Sequence, residues 1–437
     1  MNKLPLCTRI DLDIFLGRKY RRGDLLDSKK NFYPPYIVLV ILYTFFIVFA
    51  FIIDTPSEIF VGFRKILKSP DILISDYMAI GGIGATLVNA AITGSFCLGI
   101  LIKNKVKPNG STIMAMWLVT GFSFLGKNIF NIIPVILGVY LFSRYQKEPF
   151  LNYILVALLG TSLAPVVSQL SFGSGMPLEI SIIVGIILGI LLGFILPPIA
   201  SYSIKVHNGY NLYNIGFASG LVATLLMSFL RGLGIDFDER LMWHTGDNVT
   251  LLIFLLIVSS YLILIGVIKG GNDKEKFKVL TNQSGRLISD FYILFGPTAY
   301  INMGVLGVFS TFVVLILDGD LNGATICAIF TIVGFGAFGK NIKNITPVMI
   351  GAIIAAIFIE GPVNSPHSML AILFSTCLAP IAGKFGWIVG IIAGIIHVNI
   401  VSNIGYMHGG LNLYNNGLAG GFVAMILMPL ITTFKKE

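Results

Sequence analysis

The chain of 437 residues has few charged residues and only four cysteines. Charged residues make up 12% of it, whereas hydrophobic residues make up 55% and the mean hydropathy is +0.87. Such a chain has too few polar side chains to cover one water-soluble core of this size. The composition therefore excludes an ordinary soluble globular protein and predicts a membrane-spanning one.

The cysteines are too few and too scattered for a disulfide framework or a metal site. Cys97, Cys327 and Cys377 lie in apolar segments and Cys7 lies near the N-terminus, without metal-ligand spacing. We interpret them as packing residues. The sequence predicts no cofactor, no metal and no catalytic residue, because no nucleophile with a base and no paired carboxylates share one apolar region.

The net charge of +9 does not indicate nucleic-acid binding. Lysine and arginine are confined to short hydrophilic gaps and tails, where they look like signals of membrane topology. Residues 1–34 are basic, and they are too long and too polar for the first part of a cleaved signal peptide. We interpret 1–34 as a cytoplasmic tail.

Fourteen apolar segments follow, and they form two sets of seven. We predict an all-α, polytopic transmembrane bundle with a first repeat at 35–233, an extracytoplasmic linker at 234–248 and a second repeat at 249–437. The predicted segments are 35–53, 77–102, 111–125, 129–144, 151–169, 179–200, 213–231, 249–268, 291–317, 323–338, 342–359, 366–383, 385–402 and 413–433.

The third and fourth segments of each set are short and are joined at a Gly-Lys-Asn sequence. Each pair is predicted to be either a tight helical hairpin or a re-entrant loop, and in both cases the chain leaves on the side that it came from. The sequence leaves these two possibilities open.

The internal repeat is the most specific feature of the sequence. The pattern G-K-N-I-x-N-I-x-P-V-x-x-G begins at Gly126 and again at Gly339, an offset of 213 residues. The pattern H-x-G-x-N-L-Y-N begins at His207 and again at His408. Further matches in the same order pair Leu73-Ile74-Ser75-Asp76 with Leu287-Ile288-Ser289-Asp290, Asn109-Gly110 with Asn322-Gly323, and Leu163-Ala164-Pro165 with Leu378-Ala379-Pro380.

An odd number of crossings in the first half predicts that the second half is inserted in the inverted orientation. With both termini in the cytoplasm, the positive-inside rule places most basic connections inside and the acidic connections, including Glu360, outside. Arg64, Lys65 and Lys68 do not fit, because they fall on the outer side. We interpret that stretch as an interfacial amphipathic helix.

The repeated Gly-Lys-Asn sequences are the first candidate site for a solute. Polar residues within an apolar segment are costly in hydrocarbon unless they face a cavity or one another. The alternative is that each lysine extends to the membrane surface from a hairpin turn while the asparagines cap backbone carbonyls. The candidates are Lys127, Asn128, Asn131, Lys340, Asn341 and Asn344.

The repeated H-x-G-x-N-L-Y-N sequences are the second candidate site. A polar cluster precedes a glycine-rich helix, so its residues are predicted either to bind a solute or to cap and pack that helix. The candidates are His207, Asn211, Asn214, His408, Asn412 and Asn415. Asp76 and Asp290 are predicted to be helix caps, with pairing to the lysines or binding of a coupling cation as the alternative.

The doubled motifs resemble those of a family of bacterial membrane proteins called domain of unknown function 1576. The resemblance covers nearly the whole chain and implies a multi-pass protein of the bacterial cytoplasmic membrane, without a known substrate. Two halves with short paired segments also look loosely like urea channels, although the residues do not match that family's pattern.

The sequence therefore predicts a transporter or channel, not an enzyme, with a path for a small polar or anionic solute between two inverted repeats. The alternative is a membrane scaffold or sensor that transports nothing. The expected partners are the lipid bilayer and the solute, while a coupling ion and a homo-oligomer are left open.

Overall fold

The computed structural model describes residues 35–286, 289–358 and 361–434. Several sequence predictions lie outside these ranges: the cytoplasmic tail at 1–34 with Cys7, the repeated Leu287-Ile288, the outer Glu360, and the basic C-terminus with Lys435 and Lys436. Within the described ranges the regular secondary structure is helical.

Ten α-helices form the first half of the described chain. A 3₁₀ turn at Phe150–Tyr153 precedes α7, and a second 3₁₀ turn at Thr161–Leu163 separates α7 from α8. The helices are α1 Pro35–Ile53, α2 Pro56–Leu67, α3 Tyr77–Gly81, α4 Ile83–Lys103, α5 Gly110–Phe122, α6 Ile129–Tyr145, α7 Ile154–Gly160, α8 Ala164–Phe172, α9 Leu178–Val206 and α10 Asn214–Gly232.

Ten α-helices follow in the second half, in the same order of long and short elements. The break between α17 and α18 is again a 3₁₀ turn, at Ser375–Leu378, and another turn at Gly405–His408 precedes the last helix. The helices are α11 Asn248–Ile268, α12 Lys274–Thr281, α13 Phe291–Phe295, α14 Thr298–Ile316, α15 Gly323–Phe335, α16 Ile342–Phe358, α17 Pro366–Phe374, α18 Ala379–Phe385, α19 Trp387–Ile404 and α20 Asn415–Phe434.

The helices have the length and composition of membrane spans. Ten helical segments of the described chain are long and apolar enough to cross a bilayer, five in each half. The 13-residue helices α5 and α15 are too short, because they extend only about 20 Å at 1.5 Å per residue. These findings confirm the prediction of an all-helical protein of the multi-pass membrane type.

Four predicted segments are broken in the structure, those at 77–102, 151–169, 291–317 and 366–383. The segment predicted at 77–102 is divided at Gly82, where φ is +88°, into the short α3 and the long α4.

Helix α2 carries Arg64 and Lys65, and Lys68 follows it directly; these are the three basic residues that do not fit the positive-inside rule. A Thr55–Glu58 capping box fixes the start of the helix. It is a helix with one buried face, formed by Ile59, Gly62 and Ile66, as an amphipathic segment requires.

Equivalent helices of the two halves pack against each other. Helices α5 and α15 cross where Gly121 faces Cys327 and Phe330, and where Gly334 faces Trp117. Helices α10 and α20 cross at Gly216 and Gly417, where a Cβ atom on Gly417 would lie 2.7 Å from the Cα atom of Gly216. The missing side chains allow the backbones to approach closely, so the two halves share one interior.

Candidate functional site

The Gly-Lys-Asn turns lie inside the protein and not at its surface. Lys127, Asn128, Lys340 and Asn341 are all 0% exposed. The interpretation as a surface hairpin with a lysine extending toward the membrane surface is therefore wrong. Helix α5 is too short to carry the chain across a bilayer, so the turn that follows it lies deep among the other helices.

The asparagines of these turns hold the starts of α6 and α16. The Asn128 side chain accepts from the N–H groups of Phe130 and Asn131, at 3.0 and 3.1 Å, and Asn341 and Asn344 repeat this capping arrangement. The Asn131 amide also donates to the carbonyl of Gly126 at 3.0 Å. Capping therefore occupies much of the hydrogen-bonding capacity of the four asparagines.

Each lysine lies against two aromatic rings, one from each half of the chain. The Lys127 ammonium is 5.2 Å from the Phe122 ring and 4.6 Å from the Tyr414 ring, and it donates to the Tyr414 hydroxyl at 2.8 Å. The arrangement satisfies cation–π geometry and leaves the charge away from water. It also joins the first half to the second.

The second lysine repeats the arrangement with equivalent residues. The Lys340 ammonium is 5.0 Å from the Phe335 ring and 4.6 Å from the Tyr213 ring, and it donates to the Tyr213 hydroxyl at 2.6 Å. It donates additionally to the hydroxyl of Thr376 at 2.7 Å. Among the residues that the structure describes, no carboxylate forms an ion pair with either lysine.

A second pair of asparagines fixes the backbone of each lysine. The Asn89 amide donates to the carbonyls of Ser123 and Lys127, at 2.7 and 2.8 Å, and Asn302 donates to those of Gly336 and Lys340, both at 2.8 Å. Sequence reasoning missed this pair. The signal was available, because Asn89 and Asn302 are 213 residues apart, the offset of the lysines.

The N-L-Y-N sequences deliver the tyrosines to the lysines. Asn211 accepts from the backbone N–H of Tyr213 at 3.0 Å, and Asn412 accepts from that of Tyr414 at 3.1 Å. Asn211 also donates to the carbonyl of Gly417 in the other half, at 2.9 Å. The structure thus connects both sequence-predicted sites through Tyr213 and Tyr414, which sequence reasoning did not select.

The histidines come first in this motif, before the tyrosines, and each pairs with the last asparagine of its own motif. His207 lies 2.9 Å from the Asn214 oxygen, and His408 lies 2.8 Å from the Asn415 oxygen. These pairs join the end of one helix to the start of the next. None of the twelve site residues predicted from the sequence lines the void described next.

A narrow void lies beside Phe122, Tyr213 and Tyr414, three of the aromatic residues that contact the lysines, but neither lysine lines it. Its volume is about 10 Å³, close to the least that holds one water molecule. Asn416 is one of the few polar residues that line the void, and its side-chain oxygen lies 3.0 Å from a ring nitrogen of His397 on α19. Asn399, two residues after His397 on the same helix, is exposed. The void is lined by Leu118, Phe122, Tyr213, Thr331, Phe374, Leu413, Tyr414, Asn416 and Gly417.

The sequence of the chain matches one known family over most of its length. Residues 55–232 and 272–433 match the family described as "Protein of unknown function (DUF1576)". The chain belongs to the DUF1576 family. No curated protein and no solved structure matches it. The two matched ranges correspond to helices α2 to α10 and α12 to α20 of the DUF1576 protein.

Asp76 and Asp290 of the DUF1576 protein are helix caps, as the sequence predicts. Asp76 accepts from the N–H of Met78 at 2.8 Å and Asp290 from that of Ile293 at 2.9 Å. Each carboxylate also reaches the first residue of a helix in the other half. Asp290 accepts from the N–H of Gly110 at 2.9 Å, and Asp76 contacts Gly323 in the same way.

A buried carboxylate that sequence reasoning missed lies beside the first turn only. Asp71 is 0% exposed, and one of its oxygens accepts from the Tyr77 hydroxyl at 2.8 Å and from the Asn131 amide at 3.1 Å. Its other oxygen has no hydrogen-bond partner within the described part of the chain. Asn131 donates further to the hydroxyl of Ser168 at 2.8 Å.

The second half of the DUF1576 protein has no counterpart of this acidic group. In the register of the repeats, Gly285, Phe291 and Gly383 take the places of Asp71, Tyr77 and Ser168. A Cβ atom on Gly383 would lie 2.3 Å from the Ser284 carbonyl, so backbone fills the space that polar side chains fill in the first half. The two lysine sites are alike, whereas their surroundings differ in charge.

Burial raises the pKa of Asp71 to about 7, against the lowering effect of its hydrogen bond from Tyr77 and of the charge of Arg240. Asp71 lies in the connection between α2 and α3, outside the apolar spans. The folded protein binds this proton more tightly than the unfolded chain does, so the free energy of unfolding falls as pH rises from about 4 to about 7.

Substitution of Asp71 by asparagine is expected to reduce that pH dependence. The measurement is the melting temperature of the purified protein at pH 5 and pH 8. The wild type should melt several degrees lower at pH 8, and D71N should lose most of the difference. Equal pH dependence in wild type and variant would show that Asp71 does not titrate in this range.

Proposed function

We propose that this protein is a transporter or channel for a small polar solute, and that the solute is preferably an anion. The observation that carries the proposal is the pair of buried lysines, each hydrogen-bonded to a tyrosine of the opposite half, where both tyrosines line one narrow void. Secondary transporters place their solute sites in this way, near the middle of the membrane where two repeats meet.

The electrostatics of the site favour an anionic solute. A buried ammonium without a carboxylate loses its hydration, and cation–π contacts and one or two hydroxyls replace only part of it. A small anion between Lys127 and Lys340 would stabilise both charges at once. Neutral amides such as urea are the second choice, because the tyrosine and lysine groups also donate to carbonyl oxygens.

The narrow void suits a closed conformation of such a path. Tyr213 and Tyr414 both line the void, and Asn211 and Asn412 accept hydrogen bonds from their backbone N–H groups. Movement of the two tyrosines would open the void without moving the helices far. Asp71 lies beside the Gly-Lys-Asn turn of the first half only, so the surroundings of the two lysine sites differ in charge.

We propose further that the halves are inserted in opposite orientations in a bacterial cytoplasmic membrane. Five long spans per half, with the short pairs α5–α6 and α15–α16 returning to their own side, give each half an odd number of crossings. Single cysteines at Lys105 and Lys269 should react with an impermeant thiol reagent from the same face of the membrane, and one at Asp238 from the other. Lys105 and Lys269 on opposite faces would contradict the orientation.

Solute flux into proteoliposomes tests the function directly. Vesicles with and without the protein are exposed to gradients of formate, acetate, nitrate or urea, and swelling is followed by light scattering. We expect faster swelling with at least one small anion than in protein-free vesicles. Equal rates for every solute would favour the alternative, a scaffold or sensor that transports nothing.

A further inference from the structure

Four basic residues from two distant parts of the chain line an open cleft, far along the chain from the lysine sites. Arg64, Lys65 and Lys68 come from the end of α2 and the residue after it, and Arg240 comes from the connection between α10 and α11. The cleft has a volume of about 640 Å³, which is within the usual range for a bound small molecule. We call it the basic cleft.

The fold holds these cations in place. Helix α2 packs against α3 and α4, and the close contact of Gly62 with Gly81 turns its opposite face outward. Arg240 donates to the carbonyl of Pro70 at 2.9 Å and to the hydroxyl of Ser69 at 3.3 Å. Its guanidinium is therefore positioned before any ligand arrives.

No carboxylate lines the basic cleft within the described residues, although Arg240 acts electrostatically on the buried Asp71. Within the described residues, none of its four cations forms an ion pair. Glu58 is the acidic residue of α2, and its carboxylate accepts from the N–H and hydroxyl of Thr55 in the capping box at the far end of the helix. Several like charges around one cleft repel one another, and an anion would offset this repulsion.

The rim of the cleft is apolar. Phe60 and Val61 line it and are 62% and 50% exposed. A short helix with one apolar strip next to several cations is typical of segments that lie at the membrane surface. A free anion would use the cations alone, whereas a phospholipid would use the cations and the apolar rim.

We propose that the basic cleft binds a phosphate group, and that its occupant is an anionic phospholipid. The phosphate contacts Arg64, Lys65, Lys68 and Arg240, and the acyl chains pass along Phe60 and Val61. The proposal gives a reason for the three cations of α2 that contradict the positive-inside rule, because a lipid neutralises them where they lie. It is independent of what the central path transports.

The test is lipid binding by the purified full-length protein in a neutral detergent. Phosphatidylglycerol, phosphatidylcholine or inorganic phosphate is added, and bound lipid is counted by native mass spectrometry beside the melting temperature. The protein should retain phosphatidylglycerol in preference to phosphatidylcholine. The triple variant R64Q/K65Q/K68Q should bind it on the order of a hundredfold more weakly, since each basic residue near a lipid surface contributes comparably.

A matched control removes the same charge elsewhere. The variant K103Q/K105Q/K107Q changes three exposed lysines at and beyond the end of α4 and should bind phosphatidylglycerol like the wild type. If both triple variants weakened phosphatidylglycerol binding equally, general surface charge would explain the binding, and the proposed site would be overturned. The single variant F60Q, which keeps all four cations, should weaken binding of phosphatidylglycerol and leave the effect of inorganic phosphate unchanged.

Two further results would overturn the lipid assignment. Inorganic phosphate that stabilises the wild type as strongly as phosphatidylglycerol, with loss of both effects in the triple variant, would make the cleft a site for a free anion. Equal retention of phosphatidylglycerol and phosphatidylcholine would remove any preference for anionic lipid. If the triple variant does not fold, K68Q alone and F60Q give the same distinctions with smaller changes.

Discussion

Substitution of Lys340 by methionine should abolish anion flux while raising the melting temperature of the protein. Methionine has a similar length and volume, and it removes a buried charge that has no carboxylate partner among the described residues. Replacing buried charge by an apolar side chain of similar shape is often stabilising. The expected result is at least a tenfold loss of flux and a rise of roughly a few degrees.

The opposite signs of the two effects make the experiment decisive. A lysine that serves only the fold, through its bonds to Tyr213 and Thr376, would lower the melting temperature when it is removed. Flux is measured in proteoliposomes with the anion to which the wild type responds. The variant K127M should behave alike, because Lys127 lies in the equivalent arrangement with Phe122 and Tyr414.

The matched control is Lys343, which lies three residues after Lys340, in the first turn of α16. It is exposed and donates to the Asn282 side chain at 2.6 Å. The variant K343M should transport like the wild type with a nearly unchanged melting temperature. Loss of flux in K343M equal to that in K340M would indicate a general effect of charge and count against a lysine-lined path.

Substitution of Asp290 by alanine should destabilise the protein more than removal of an ordinary helix cap. The carboxylate caps α13 and receives the first N–H of α5 from the other half, with both oxygens at 2.9 Å from the Gly110 nitrogen. A single cap contributes about 0.5–2 kcal/mol, and a buried N–H without a partner costs about 1–3 kcal/mol. We expect a total loss of about 2–4 kcal/mol.

Asp273 provides the comparison within the same chain. It caps the short helix α12 through the N–H groups of Glu275 and Lys276, both at 3.0 Å, and forms no hydrogen bond to another helix within the described residues. The variant D273A should lose about 1 kcal/mol, seen as a smaller fall in melting temperature than in D290A. Equal losses would mean that the contact of Asp290 with Gly110 does not join the halves energetically.

The sequence predicted which polar residues recur in the repeats, but not how these residues are arranged in space. The doubled patterns selected Lys127, Lys340 and the asparagines around them, and the structure places all of these in the interior. Whether they bind a solute stays a prediction. The partners of the lysines were not predicted, because Tyr414 is 287 residues from Lys127 and local spacing carries no information about that contact.

Asp71 shows why a repeat can conceal a chemical difference between its halves. The search for matched positions directs attention to residues that recur, and Asp71 is replaced by Gly285 at its equivalent position. Only packing shows that the aspartate lies beside Asn131 and Tyr77, so that one of two otherwise similar turns carries a buried acid.

The sequence by itself determined the membrane class, the family, the duplication and most helix boundaries. Hydropathy, capping residues and glycines act over a few neighbouring residues, so the order of amino acids is sufficient to predict them. Only the tertiary structure decided the depth of the Gly-Lys-Asn turns, the tyrosines opposite each lysine, and the aspartates that cap helices of the other half. Those contacts depend on which helix faces pack together, and that is a property of the whole folded chain.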